Sequence, residues 1–354
     1  MKDFRIVLAG CGSMANAWVK YILTRQDAAI VALVDLFEAP AQKLAQAYAL
    51  TAPWYADLAT AIQETGANLC FDVTIPDAHL GVVSTALSLG CDVLGEKPMA
   101  STMEDARTLV RMADDTGRSY AVMQNRRFLK NIRALRQLIA ENVIGQPGFF
   151  TADFFLAPHF GGFRDAMDSP LVLDMAIHTF DAARYLAASD PVSVYCQEFS
   201  PPGSWYRGDA AAVAIFEFAD GAVFCYRGSW CAEGARTSWE SSWRITGSLG
   251  TAIWDGTAAP YAEVVLEPED SEVKAEPEAG STRPARFLNE HRRVEATFPW
   301  QGEDGHNGCL AEMFSALREG RKAETDCSDN IKSMAMVHAA LRSSREGRKV
   351  PVEF

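Results

Sequence analysis

Three small residues, Gly10, Gly12 and Ala15, restrict the fold of this chain more than any other feature of its sequence. They follow the apolar run 6–9 and precede a helical pattern. A Gly-x-Gly-x-x-Ala string between a strand and a helix is typical of the turn that binds a dinucleotide. Gly10 permits the tight turn, Gly12 lets the backbone approach a pyrophosphate, and Ala15 allows the helix to pack closely on the strand. The sequence therefore predicts a nucleotide cradle near the amino terminus.

The helix after this turn would direct its N-terminus, with Ser13 and Met14, at the phosphates of the dinucleotide. The next predicted strand, 30–35, ends in Asp35, at the spacing expected for a residue that binds ribose hydroxyls. A carboxylate there repels a 2′-phosphate, and no Lys or Arg follows it before Lys43. We therefore expect NAD as the cofactor rather than NADP. A glycine turn with a capping aspartate is the alternative.

Short apolar runs alternate with helical patterns over residues 1–123, which predicts an α/β Rossmann domain with a doubly wound parallel sheet. After residue 123 the strands become longer and alternate in polarity, as in 211–218. Residues 124–354 are therefore expected to form an α+β domain with an open, mostly antiparallel sheet. A chain of 354 residues exceeds one ordinary hydrophobic core, which agrees with two domains. Residues 267–285, rich in Glu, Pro, Ala and Ser, are expected to form a mobile loop.

Charge, apolar runs and cysteine spacing argue against several classes of partner and site. The formal net charge of −13 disfavours nucleic acid, because the surface repels phosphate backbones. The first apolar run is too short for a signal peptide, and no run reaches transmembrane length, so we expect a cytoplasmic protein with no membrane partner. The eight cysteines include no Cys-x-x-Cys and are expected to be reduced thiols, with neither a disulfide framework nor a metal site.

The tripeptide Glu96-Lys97-Pro98 follows the predicted strand 92–95. Ligands of open parallel sheets collect at the carboxyl ends of the strands, so Lys97 is expected in the crevice near the nicotinamide. Its ammonium group can donate a hydrogen bond to a substrate hydroxyl or to a developing alkoxide. Pro98 stiffens the turn and is a candidate for a cis peptide bond. A solvated surface lysine is the alternative.

Asp174 and His178 are four residues apart in an apolar stretch, and a helix over 171–185 would place them on one face. A carboxylate beside an imidazole fixes its tautomer and raises its basicity, which suits a general base that removes a hydroxyl proton. Asp181 extends the same face. A structural hydrogen bond is the alternative, and a zinc site lacks further ligands.

Taken together, these motifs resemble the glucose–fructose oxidoreductase/inositol dehydrogenase family over nearly the whole chain. The resemblance is carried by the cradle, by Val73-Thr74-Ile75-Pro76-Asp77-Ala78-His79, by Glu96-Lys97-Pro98, by Asn125-Arg126-Arg127-Phe128 and by Asp174-x-x-x-His178-x-x-Asp181.

The resemblance implies hydride transfer between NAD and a secondary hydroxyl of a sugar, polyol or glycoside. It implies that Lys97 and His178 are catalytic and that Asp174 binds substrate or orients the histidine. Further cofactor contacts are expected at Thr74, Pro76, His79, Glu96, Lys97 and Asn125. The open sheet often forms the subunit interface in this family, so a homodimer or homotetramer is expected. Two alternatives are a sugar-responsive regulator that binds NAD without catalysis, and a redox-assisted glycosidase.

Tryptophans provide the clearest indication of the substrate, because five of the eight fall between residues 205 and 254. Their rings can stack on the C–H faces of sugars, although core and interface packing is the common role of such residues. Trp230, at the end of a predicted strand, is the first candidate. The other candidates for substrate binding are Arg127, His159, Arg164 and Asp165.

Overall fold

The computed structural model describes residues 4–266, 290–298 and 300–354. The chain divides into two compact units. The first comprises the chain to Leu129, Gly302–His338 and Val352–Phe354, and the second comprises Lys130–Gln301 and Ala339–Pro351. The prediction placed all residues after 123 in the second domain. The structure differs, because residues 302–338 belong to the first unit. The loop expected at 267–285 lies outside the described residues.

The first unit is built on a six-stranded parallel sheet with helices between the strands. Its strands are β1 (Phe4–Ala9), β2 (Ala28–Val34), β3 (Trp54–Tyr55), β4 (Leu69–Asp72), β5 (Asp92–Gly95) and β6 (Tyr120–Val122). The helices are α1 (Ala15–Ile22), α2 (Glu38–Tyr48), α3 (Leu58–Thr65), α4 (Pro76–Ser88) and α5 (Met103–Thr116). The strand order is β3-β2-β1-β4-β5-β6, so the direction of winding reverses between β1 and β4. This arrangement confirms the predicted Rossmann fold.

The second unit is built on a nine-stranded mixed sheet. Its elements are α6 (Lys130–Ala140), β7 (Pro147–Phe155), a π-helical turn (Leu171–Ala176), α7 (Ile177–Ala187), β8 (Pro191–Phe199), β9 (Ala211–Phe218), β10 (Val223–Ser229), β11 (Ser242–Gly247), β12 (Gly250–Trp254), β13 (Tyr261–Val265), β14 (His291–Glu295) and, after the last helices, β15 (Val350–Pro351). The order is β14-β13-β12-β11-β7-β10-β9-β8-β15. Only β7 and β10 pair in parallel among these strands, so the expected mostly antiparallel sheet is confirmed.

The two faces of this sheet differ in burial. On one face, Phe180 of α7 packs edge-on against Phe216 at 4.8 Å and Tyr226 at 5.2 Å between ring centroids. On the other face, apolar side chains such as Tyr195 and Ile215, which are register partners, stay largely exposed. The alternation of buried and exposed residues along β9 therefore separates a core face from an open face.

Two helices lie near the carboxyl terminus, α8 (Gly305–Glu319) and α9 (Cys327–Glu346). The ring of Phe314 on α8 packs against Phe4 of β1, with centroids 4.9 Å apart. Cys327, Ile331 and Met334 of α9 belong to the hydrophobic core of the first unit. Within the described residues, no helix is both long and apolar enough to cross a membrane. All eight cysteines are described, and none forms a disulfide.

Candidate functional site

The turn between β1 and α1 has the geometry of a nucleotide cradle. Gly10 has φ of +89°, and a Cβ atom there would lie 2.5 Å from the carbonyl oxygen of Val73, so only glycine fits. A Cβ atom at Gly12 would meet no protein atom within 4 Å, which leaves that side of the turn open to a ligand. Ala15 begins α1 and is fully buried, whereas Ser13 and Met14 are exposed before it. The predicted roles of the small residues therefore agree with the local geometry.

Asp35 lies at the carboxyl end of β2, beside this turn. Its Oδ2 accepts a hydrogen bond of 2.9 Å from the backbone N–H of Cys11, and its Oδ1 accepts one of 3.0 Å from Phe37. Burial and the nearby Asp35 charge raise the pKa of the Cys11 thiol to about 12. The thiol therefore stays protonated at neutral pH, and Asp35 holds the negative charge at this end of the cradle.

A buried polar network lies at the end of the neighbouring strand, β4. The Asp72 carboxylate accepts hydrogen bonds from the backbone N–H and the hydroxyl of Thr74, at 3.1 and 2.5 Å. Nδ1 of His79 is 2.6 Å from the other carboxylate oxygen. Nε2 of His79 is buried and has no hydrogen-bond partner among the described residues. The expected cofactor residues Thr74 and His79 are thus held by Asp72, while Pro76 is the exposed first residue of α4.

Asp72 is not among the site residues predicted from the sequence. A charged residue that ends an otherwise apolar strand was the available signal, because a buried carboxylate needs partners close by. Those partners, Thr74 and His79, come from the following turn and helix.

The turn that carries Lys97 is fixed through Glu96. The backbone N–H of Glu96 donates to the carbonyl of Asp72 at 2.8 Å. Nε1 of Trp18 donates to the Glu96 carboxylate at 2.7 Å, and Nε2 of His306 lies 3.6 Å from the same oxygen. Burial raises the pKa of Glu96, but the nearby His306 imidazole, the hydrogen bond from Trp18 and the charge of Lys97 outweigh it, so the pKa is lowered overall. An ionised carboxylate therefore precedes the lysine.

A second contact holds the far side of this turn. The Tyr120 hydroxyl donates to the carbonyl of Met99 at 2.9 Å. A Cβ atom at Gly95 would lie 3.2 Å from the Tyr120 ring, so the ring packs closely on the strand end. The Lys97–Pro98 peptide bond is cis, as anticipated. Lys97 itself is partly buried.

Asn125 and Arg127 lie on a short 3-10 helix, Asn125–Phe128, after β6. Arg127 is buried, and its guanidinium donates to the carbonyl of Glu324 at 3.0 Å and to Asp329 at 2.6 Å. These bonds tie the 3-10 helix to the start of α9 within the first unit. Arg127 is therefore a structural tie in this arrangement, which differs from the substrate contact expected of it. Asn125 remains partly exposed.

In the second unit, the expected helix over 171–185 forms, but its beginning is π-helical. Asp174 lies on the π-helical turn and His178 on the first turn of α7. Isolated π-turns are frequent at functional sites. Nε of Arg164 donates to Oδ2 of Asp174 at 2.7 Å, a contact that the sequence analysis did not predict. Asp181 is buried farther along, 3.9 Å from the Arg184 guanidinium.

Other candidate substrate residues lie on loops that follow the parallel strands β7 and β10. Trp230 is only 1% exposed. Its ring therefore cannot present a face to a ligand, which differs from the substrate contact expected of it. His159 is exposed, stacks on Trp205 at 3.8 Å, and lies 3.0 Å from the Glu233 carboxylate. Oδ1 of Asp165 is buried and accepts no hydrogen bond from the described residues. Asp165 therefore retains the capacity to accept one from a hydroxyl.

Two domain models of one family match the chain. The model for the oxidoreductase family with an NAD-binding Rossmann fold matches residues 4–124, and the GFO/IDH/MocA C-terminal domain matches residues 132–253. No cluster of three or more His, Cys, Asp or Glu suited to a metal ion occurs in the described part of the chain.

Among the relatives, a D-apiose dehydrogenase from Paraburkholderia graminis is 25% identical over 100% of this chain and 91% of its own length. An inositol 2-dehydrogenase from Rhizobium meliloti is 24% identical, over 98% and 99%. A solved oxidoreductase from Agrobacterium radiobacter, in complex with NAD+, L-tartaric acid and magnesium, superposes with a TM-score of 0.82 at 21% identity, covering 99% of this chain and 98% of that one. This last likeness concerns the fold. The two family models together place the chain in the GFO/IDH/MocA family of NAD-binding oxidoreductases.

Proposed function

We propose that this protein is an NAD-dependent dehydrogenase that transfers a hydride between the nicotinamide and a secondary hydroxyl of a carbohydrate. The observation that carries the assignment is the position of Lys97. The cradle, the Asp72 network and the Lys97 turn follow β1, β4 and β5, three adjacent strands of one sheet. β1 and β5 are two strand spacings apart, about 10 Å. The lysine therefore stands at the edge where ligands of such sheets bind, close to the reversal of strand order.

The carbohydrate class is supported by the relatives, since apiose is a sugar and inositol a cyclic polyol. The side chains agree with hydroxyl recognition. Asp165 has a buried oxygen with spare accepting capacity, and the Asp174 carboxylate is held in place by Arg164.

In the proposed oxidation, His178 removes the proton from the reacting hydroxyl. The Lys97 ammonium group donates a hydrogen bond to the same oxygen as negative charge develops on it. Asp174 orients the substrate or the imidazole, and Arg164 holds Asp174. Bound NAD supplies the acceptor for the hydride, while the protein contributes orientation and electrostatics.

We further propose that NAD is preferred over NADP. Both oxygens of Asp35 are held by backbone N–H groups at the end of β2, so the carboxylate cannot swing away without losing two hydrogen bonds. A 2′-phosphate placed there would meet this charge at short range, which costs binding free energy.

The direct test is a screen of sugars, polyols and glycosides for NADH absorbance, with a chromogenic glycoside assayed in parallel. We expect NADH to accumulate with at least one cyclic carbohydrate. Tight NAD binding without reduction by any of them would support the regulator instead. Release of the chromophore without net NADH would support the redox-assisted glycosidase.

A further inference from the structure

Two half-exposed aromatic rings lie on the loops that follow β7 and β10 in the second sheet. Because β7 and β10 are parallel neighbours, the loops that follow them leave from the same edge. Phe160 lies on the first loop and is 50% exposed, and Trp239 lies on the second and is 43% exposed. Their centroids are 6.1 Å apart with an interplanar angle of 43°. We call Phe160 and Trp239 the aromatic pair.

Buried contacts hold the aromatic pair from beneath. The Phe160 ring meets Trp230 edge-on at 5.7 Å, and Trp230 in turn stacks on Tyr206 at 6.0 Å. The Tyr206 hydroxyl donates to the carbonyl of Pro158 at 3.0 Å, which anchors the loop two residues before Phe160. The Phe160 ring is therefore positioned by a packed layer, and the Trp239 ring lies against the buried Phe154, with centroids 6.3 Å apart. Such pre-organisation lowers the entropic cost of binding a ligand.

Arg164 connects the aromatic pair to Asp174. Its guanidinium carbon is 5.1 Å from the centroid of Phe160, and its Nε donates to Asp174. The guanidinium thus lies between the carboxylate and the ring. A ligand that binds both Asp174 and the aromatic pair would therefore have to extend past this guanidinium, with a hydroxyl at the carboxylate and an apolar surface at the rings.

We propose that Phe160 and Trp239 form a subsite for the aglycone or second sugar ring of a glycosidic substrate, an inference that rests on the dehydrogenase function proposed above. An aryl aglycone or the C–H face of a pyranose offers a flat apolar surface that aromatic rings bind well. A linear polyol offers no such surface, and a free monosaccharide lacks the second group. A glycoside whose second group presents such a surface is therefore expected to be a better substrate than the free sugar.

The test compares three forms of whichever monosaccharide supports NADH formation: the free sugar, its methyl glycoside and its phenyl glycoside. The unsubstituted protein should show the highest kcat/KM with the phenyl glycoside. Phe160→Leu and Trp239→Leu should each lower that value by about fivefold to tenfold, the size of a lost aromatic contact. They should change kcat/KM for the free sugar by less than about twofold.

Phe149→Leu is the matched control, because Phe149 is equally exposed but lies near the other end of β7. It should leave all three values unchanged. Leucine keeps apolar bulk in each variant, and far-UV circular dichroism checks the fold. An equal fall in kcat/KM for the free sugar and the phenyl glycoside in the variants would contradict the proposed subsite and leave the proposed dehydrogenase function intact. The same conclusion would follow if the unsubstituted protein did not prefer the phenyl glycoside. Absence of turnover with every carbohydrate would overturn both.

Discussion

Arg164 and Asp174 form a hydrogen-bonded ion pair, with Nε and Oδ2 2.7 Å apart, ten residues from each other in the chain. The pair is only partly exposed, so removal of the guanidinium would free a carboxylate that the proposed mechanism needs in one place. Arg164→Gln should lower kcat/KM by about tenfold or more, the size of a lost hydrogen bond between charged groups. Arg207→Gln is the control, since Arg207 pairs with Asp168 on the exposed surface, where such pairs contribute little. Equal losses in both variants would contradict a specific role for Arg164.

Lys97 and His178 should be indispensable for turnover. Lys97→Ala and His178→Ala should each lower kcat by at least about a hundredfold, because each removes a positioned proton donor or acceptor. The affinity for NAD, measured by fluorescence titration, should change little in the His178 variant. Near-full turnover in His178→Ala would make the histidine structural.

Asp35 should decide the choice of cofactor. The unsubstituted protein should bind NAD(H) more tightly than NADP(H), and Asp35→Ala should narrow the difference, because the charge that repels the 2′-phosphate is gone. Asp115→Ala replaces an exposed residue near the end of α5 and should leave the ratio of the NAD(H) and NADP(H) affinities unchanged. Equal or tighter binding of NADP(H) by the unsubstituted protein would refute the assignment.

Glu198 on β8 should make stability depend on pH. Burial raises its pKa from 4.5 to about 7, with the Asp209 charge adding to the effect and the Ser169 hydrogen bond and Arg345 opposing it. The folded state therefore favours the protonated carboxyl, and this stabilisation is full below about pH 4.5 and lost as the pH rises through about 7. Glu198→Gln should raise the Tm relative to the unsubstituted protein at pH 8 more than at pH 5. Glu263→Gln, at an exposed position of β13, should change the Tm equally at pH 8 and at pH 5.

The open face of the second sheet should be an interface between copies of the chain. Tyr195, Val213 and Ile215 are 37–42% exposed on neighbouring strands, and clustered apolar side chains of this kind favour association. Sedimentation at micromolar concentration should show a species of at least twice 38.7 kDa. Ile215→Lys should shift it towards the monomer, whereas Leu249→Lys, in the turn before β12, should not. A monomeric unsubstituted protein would contradict the interface.

Local signals predicted most of the first unit. Gly10 lies in a tight turn and Ala15 in a close helix contact, as their positions indicated, because both features depend on a few neighbouring residues. The predicted division placed α8 and all of α9 in the second domain, whereas Gly302–His338 belong to the first unit, since an amphipathic helix does not specify which sheet it covers. The π-helical turn at Asp174 was not predicted either. Apolar residues surround it, so the extra residue in the turn does not change the hydrophobic pattern visibly.

The side chains that depend on distant partners were the hardest to predict. Trp230 stands at the strand end, as expected, but Phe160 and Tyr206 from other loops bury it. Arg127 belongs to a family-like motif, but Glu324 and Asp329, some 200 residues away, hold its guanidinium. Long-range contacts of this kind leave no trace in local periodicity.

Because Cys327, Ile331 and Met334 belong to the hydrophobic core of the first unit, that core is still incomplete when the strands of the unit have left the ribosome. Its sheet is synthesised by residue 122, but two hundred more residues must be translated before α9 arrives. A truncated chain that ends at Leu129 should therefore expose the apolar surface that α9 covers, and it should aggregate more readily than the full chain. Synthesis of the whole protein is thus a condition for a stable nucleotide-binding unit, so incomplete chains are not expected to sequester cofactor.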